Sequence, residues 1–202
     1  MFRRNQRKKG GAGVVIRINK IIAFFLVLCL MVGAIFLTFL GIRFLGEYLF
    51  PIKYESIVNE ASATYNVEKE TIYAIIKCES GFDSNAHSHA DAQGLMQITP
   101  DTFKWLLLHT REKDADIKRL KNPYVNIMYG TLFISLLREK YGNEEAALSA
   151  YNAGETVVKR WLDDKNVSKD GKTLESIPYK ETRRYVKRVQ WVKKIYKMLY
   201  FS

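Results

Sequence analysis

From Ile21 to Ile42 the chain runs for 22 residues without a charge and with hardly a polar group. As a helix rising about 1.5 Å per residue, this stretch would measure about 33 Å, enough to cross the hydrocarbon layer of a bilayer. A secretory apolar region is normally about 7 to 15 residues and ends at a small-x-small cleavage site. Here the best such triplet, Val32-Gly33-Ala34, lies inside the run, so the segment reads as an uncleaved anchor.

Charge gives the anchor a direction. Arg3, Arg4, Arg7, Lys8, Lys9, Arg17 and Lys20 precede the run with no acid among them. Basic residues collect on the cytoplasmic side of a span, which predicts a cytoplasmic N-terminus and an extracytoplasmic remainder. The sequence therefore divides into a basic cytoplasmic tail (1–20), a transmembrane anchor (21–42), a juxtamembrane linker (43–53) and a folded domain (54–202). The formal charge of the whole is +11, but from Lys53 onward 24 basic residues face 20 acidic ones. Most of the basicity is a topology signal, and a nucleic-acid partner loses its basis. The two cysteines, Cys29 within the span and Cys78 beyond it, are kept apart and imply no disulfide.

After Pro51 the apolar residues recur at helical spacing with no sustained alternation of period two, predicting an all-α domain. Ile57, Val58, Ala61 and Tyr65 share one face of a first helix. Asn66 is expected to cap the start of a second, with Glu68 and Glu70 in its first turn and its end near Glu79. Thr99-Pro100 and Asn122-Pro123 each pair a capping side chain with proline at the first helical position. Gly142 and Gly154 suit helix ends, residues 163–175 read as a polar loop, and a last helix is expected from about Lys180 to Tyr200.

One carboxylate stands out. Ile72, Ile75 and Ile76 lie seven, four and three residues before Glu79, on the same helical face. A carboxylate on a buried face at a helix C-terminus is disfavoured when ionised by both desolvation and the dipole, so its pKa should rise. That is the property of a general acid near neutral pH.

The residues after it carry a resemblance. ESGFDSNAHSHADAQGLMQITPDTF, from Glu79 to Phe103, resembles the lytic transglycosylase family, goose-type-lysozyme-like enzymes that cleave peptidoglycan glycan strands. The family pattern of a catalytic Glu followed by Ser, then a further serine, GLMQ and a proline-initiated helix falls on Glu79, Ser80, Ser88, Gly94, Leu95, Met96, Gln97 and Pro100. NPYVNIMYG (122–130), AYNAG (150–154) and IPYKETRRYV (177–186) resemble the family's later motifs, in order. Two departures fall in the loop before GLMQ: His89 where the family often has Pro, and Asp91 where it often has Gly.

The resemblance implies a lysozyme-like all-α fold and non-hydrolytic cleavage of the β-1,4 bond between N-acetylmuramic acid and N-acetylglucosamine. Glu79 would protonate the glycosidic oxygen, the substrate's N-acetyl group would stabilise the cationic centre, and Glu79 would then take the proton of the muramyl C6 hydroxyl, leaving a 1,6-anhydro ring. Ser88, Gly94, Leu95, Met96, Gln97, Tyr151, Asn152, Tyr179 and Glu181 are the implied substrate-binding residues, Glu181 in support of the site. A conventional glycosidase would need a second carboxylate, for which Asp83, Asp91, Asp101 and Glu181 are the candidates near the motifs. A hydrolytic muramidase and a non-enzymatic module tethering glycan to an envelope-spanning apparatus are the alternatives. No cofactor is expected. His87-x-His89 lacks a third ligand at recognisable spacing, so no metal is expected either. Cys78 should point away from Glu79. The cations of the last helix read as a solvated face opposite an apolar stripe of Tyr185, Val189, Val192, Tyr196 and Leu199, with a bias toward anionic wall polymers.

Overall fold

The computed structural model describes residues 12–201, with side chains from Asn19 onward. The basic tail predicted over residues 1–20 therefore lies largely outside the described residues. The chain forms two units that meet between Leu49 and Phe50.

The first unit is one helix, α1 (Ala12–Leu49), which continues through the first part of the segment read as a linker. Between Ile21 and Ile42 its side chains are apolar around the whole circumference and nearly all exposed, and residues Asn19–Leu49 are long and apolar enough to cross a membrane. A helix with no polar face has no preferred side to bury against a water-soluble core.

The second unit is all-helical, with isolated bridges (His87 with Gln93, Gln93 with Ile98) as the only β pairing among the described residues. It comprises α2 (Glu55–Tyr65), α3 (Lys69–Glu79), α4 (Pro100–Leu107), a short 3-10 turn (Ile117–Lys121), α5 (Pro123–Tyr141), α6 (Glu144–Ala153), α7 (Glu155–Asp163) and α8 (Lys180–Tyr200). Its starts follow capping chemistry. Thr99 Oγ1 accepts from Thr102 N, and Asn122 Oδ1 from Tyr124 N, each ahead of proline at the first helical position.

Asn66 departs from expectation. It closes α2 in the left-handed conformation, φ 51°, and Glu68 occupies the N-cap of α3. Asparagine tolerates positive φ at a helix end about as well as any non-glycine residue, so a residue between two helices can serve the first as readily as the second. The 3-10 turn and α7 add two elements to those anticipated.

α3 packs along α8, while α5 contacts α2, α4 and α6. Ile72, Ile75 and Ile76 of α3 are fully buried, and Tyr73 stacks on Tyr196 of α8 with ring centroids 5.2 Å apart. This pairing sets the end of α3, and with it Glu79, against the first half of α8.

Candidate active site

Glu79 is the last residue of α3, and the chain turns sharply after it. Gly81 and Phe82 both have positive φ, 62° and 72°. A phenylalanine in that region is strained, and the buried Phe82 ring, packed near Tyr73, holds it there. Ser80 locks the turn: its hydroxyl donates to Leu95 O at 2.8 Å and accepts from Phe82 N at 3.1 Å. The end of the acid-bearing helix is thus fastened directly to the GLMQ segment.

That segment is itself braced from below. Buried Asn126 of α5 accepts from Met96 N at 2.7 Å and donates to both Gln93 O and Leu120 O at 2.8 Å. A Cβ on Gly94, at φ 77°, would stand 2.3 Å from both Asn126 Nδ2 and Leu120 O, and one on Gly130 would stand 2.5 Å from Met96 Sδ. Both glycines are there because neighbouring atoms occupy the space a side chain would need. Asp91 also has positive φ, 58°, a conformation that glycine adopts most freely. Aspartate is among the residues that adopt it most readily, and its carboxylate lies 3.3 Å from His87 Nε2.

Above this platform opens a cleft of about 760 Å³ lined by Glu79, Ser88, Gln97, Asn152 and Glu181, and also by Cys78, Lys180, Arg184, Tyr185 and Arg188. Five of the residues expected from the sequence come together here. Ser88 also holds its own loop, accepting from Ala90 N and Ala92 N, and the Gln97 amide nitrogen donates to Ala86 O and Gly94 O. Among the carboxylates weighed as partners for Glu79, Asp83, Asp91 and Asp101 are absent from the lining and Glu181 is present. Glu181 pairs with neither Arg183 nor Arg184; the Arg183 guanidinium instead donates to Ile177 O.

The other five expected residues do not line the cleft. Leu95 and Met96 are fully buried, since this stretch of the loop must cover the core. Gly94 is consumed by its close approach to Asn126. Tyr151 packs against Phe133 and donates its hydroxyl to Met96 O at 2.7 Å, which ties it to the GLMQ segment. Burial first, and then the Glu79 carboxyl, hold that hydroxyl well above the usual tyrosine range. Tyr179 is exposed, with its ring edge-on to Trp161.

Burial pushes the Glu79 carboxyl up to about 7, opposed by the Tyr185 hydroxyl and by the positive charge of Arg188. Tyr185 was expected only in the apolar stripe, and it is indeed buried, but its hydroxyl faces the Glu79 carboxyl without the alignment of a full hydrogen bond. Such contacts commonly tighten only when substrate arrives. Cys78 lines the same cleft. Arg188 Nη2 donates to its carbonyl at 2.9 Å, and burial pushes its thiol up to about 11. No three His, Cys, Asp or Glu side chains converge on a metal-sized site among the described residues.

In sequence and in fold the chain is similar to known proteins. A family model described as the transglycosylase SLT domain matches residues 56–174. The putative soluble lytic murein transglycosylase of Haemophilus influenzae is 34% identical over 145 residues, covering 69% of this chain and 24% of that protein. The membrane-bound lytic murein transglycosylase C of Cronobacter sakazakii is 31% identical over 167 residues, covering 72% and 46%. The chain thus spans between a quarter and a half of the length of these relatives. Among solved structures, an inactive mutant of the lytic transglycosylase Slt from Pseudomonas aeruginosa superposes with a TM-score of 0.66 at 31% identity, covering 75% of this chain and 25% of that one. The 70-kDa soluble lytic transglycosylase of Escherichia coli superposes with a TM-score of 0.68 at 26% identity, covering 78% and 26%. With the domain match running over more than half of its residues, this chain belongs to the transglycosylase SLT domain family.

Proposed function

We propose that the chain is a membrane-anchored lytic transglycosylase. It would cleave the β-1,4 bond between N-acetylmuramic acid and N-acetylglucosamine in peptidoglycan and leave 1,6-anhydromuramyl ends. The observation that carries this reading is Glu79, a carboxyl held near pKa 7 by burial at the floor of a cleft whose other carboxyl, Glu181, is exposed. At that value the group is about half protonated at neutral pH and can both give and take a proton. It gives its proton to the leaving C4 oxygen of N-acetylglucosamine as the glycosidic bond breaks. The substrate's own N-acetyl oxygen stabilises the cationic anomeric carbon. The Glu79 carboxylate then accepts the proton of the muramyl C6 hydroxyl, whose oxygen closes on that carbon. No water is consumed and Glu79 ends protonated, ready for the next bond.

Ser88, Gln97 and Asn152 offer hydroxyl and amide groups to the sugar, and Gly94, Leu95, Met96, Tyr151 and Tyr179 support the shape of the groove. Residues 21–42 would span the membrane, with the basic tail in the cytoplasm and the domain outside, where its substrate lies. The apolar α1 and the membrane-bound relative support this placement.

The test is product analysis of glycan strands digested by the purified chain. Anhydromuramyl ends, lighter by one water than hydrolysed ends, are expected. Glu79→Gln should reduce their release by a factor of about 1,000 or more. Hydrated ends would indicate a muramidase, full activity of Glu79→Gln would remove Glu79 from the chemistry, and binding without any product would indicate a tether.

A further inference from the structure

Two groups stand out among the cations of α8. Arg183 donates to Ile177 O, and Lys193 pairs with Glu144. Lys180, Arg184 and Arg188 instead line the cleft. They are four residues apart, so they stand in a row along one face of the helix, over about 12 Å at about 1.5 Å per residue. Arg188 spends one N–H on the Cys78 carbonyl, whereas Lys180 and Arg184 make no ion pair or side-chain hydrogen bond with any described residue. The row starts in the first turn of α8, where the helix dipole adds further positive potential.

This row has no counterpart in the sugars themselves. An N-acetylglucosamine–N-acetylmuramic acid backbone is neutral wherever the lactyl carboxyl is tied up in an amide. The anions such a strand offers close to the scissile bond are then the carboxylates of the peptide that branches from the lactyl group. Resting on the reading of the cleft as a glycan site, we propose that Lys180, Arg184 and Arg188 form a subsite for the carboxylates of the muramyl peptide stem. Arginine suits this task because its planar fork donates two parallel hydrogen bonds to a carboxylate. Along the row, one stem can meet more than one cation. The basic face of α8 is therefore a specificity element of the cleft rather than a uniformly solvated surface.

The experiment measures binding by the full chain in detergent micelles, carrying Glu79→Gln so that ligands stay intact. Three disaccharide fragments serve as probes: one with its peptide stem, one with the stem carboxylates amidated, and one without a stem. The stem-bearing fragment should bind about 10-fold to 100-fold more tightly than the other two, as expected for one or two charge-assisted contacts. With Lys180→Ala and Arg184→Ala added, that ratio should collapse toward one. Arg184→Lys should restore part of it, keeping the charge and losing the fork. A ratio that starts near one, or that survives the double substitution, overturns the subsite. So does a preference for polyglycerol phosphate over the stem, which would assign the row to a phosphate polymer. Failure of all three fragments to bind overturns the glycan reading, and the subsite with it.

Discussion

In the proposed reaction Glu79 gives up a proton and then recovers one near neutral pH, and its immediate neighbours set the pKa this requires. For Glu79, burial raises the pKa, while Tyr185 and Arg188 restrain the rise. The Tyr185 hydroxyl favours the ionised form, so Tyr185→Phe should move the Glu79 pKa further up. In the proposed reaction the protonated acid acts first, so kcat/KM should fall by about tenfold per pH unit above the pKa. The variant's alkaline limb should therefore lie at higher pH than the parent's, as a pH–rate profile would reveal; a limb unmoved or shifted down would remove Tyr185 from this role. The burial and raised pKa of Glu79 were legible from spacing, because its neighbours at three, four and seven residues are local, while its candidacy as the acid rested on the motifs that follow it. Tyr185 and Arg188 were not, because they meet Glu79 only through the packing of α3 on α8, about a hundred residues away in sequence. The burial of Met96 was not legible either, for the related reason that motif membership does not reveal which side of a loop a side chain takes.

Helices in this domain are coupled by polar links as well as by the core. Glu68 caps the start of α3 and receives the Arg138 guanidinium of α5, with Nη2 2.9 Å from Oε1. Lys193 of α8 lies 3.9 Å from the same carboxylate and pairs with Glu144 of α6. The hydrogen bond from Arg138 is the main reason Glu68 is lowered to about 2. A depressed carboxylate pKa adds stability that is present above the ordinary value near 4.5 and is lost as pH falls through about 2. Because the site is partly exposed, the contribution is reduced by solvent, and Glu68→Gln should cost about 1–2 kcal/mol at pH 7. Denaturant titrations of parent and variant should converge as pH is lowered from 4.5 toward 2; a constant gap would contradict the ion-pair account. At this scale the sequence was most readable where capping side chain and proline coincide, at Thr99-Pro100 and Asn122-Pro123. It was least readable at Asn66, where one residue chemically suits either of two adjoining helix ends.

The molecule as a whole divides between Leu49 and Phe50, and every residue lining the cleft belongs to the second unit. That unit holds its own beginning: Tyr200 donates its hydroxyl to Phe50 O at 2.8 Å and Tyr196 to Pro51 O at 3.2 Å. A fragment of residues 50–202 should accordingly fold without detergent, in one cooperative transition within about 3 °C of the domain's transition in the full chain. Thermal melts followed by circular dichroism would check this, and a fragment that aggregates or melts without cooperativity would show that the core depends on α1. The charge of +11 is informative only when split along the same line, since the domain carries a small excess and part of it lines the cleft. The junction also makes the chain modular in an engineering sense. Replacing α1 by another apolar helix, or by a lipid tether, should leave the geometry of the cleft unchanged and alter only where the domain is held, so the proposed chemistry and its placement can be varied as independent parts.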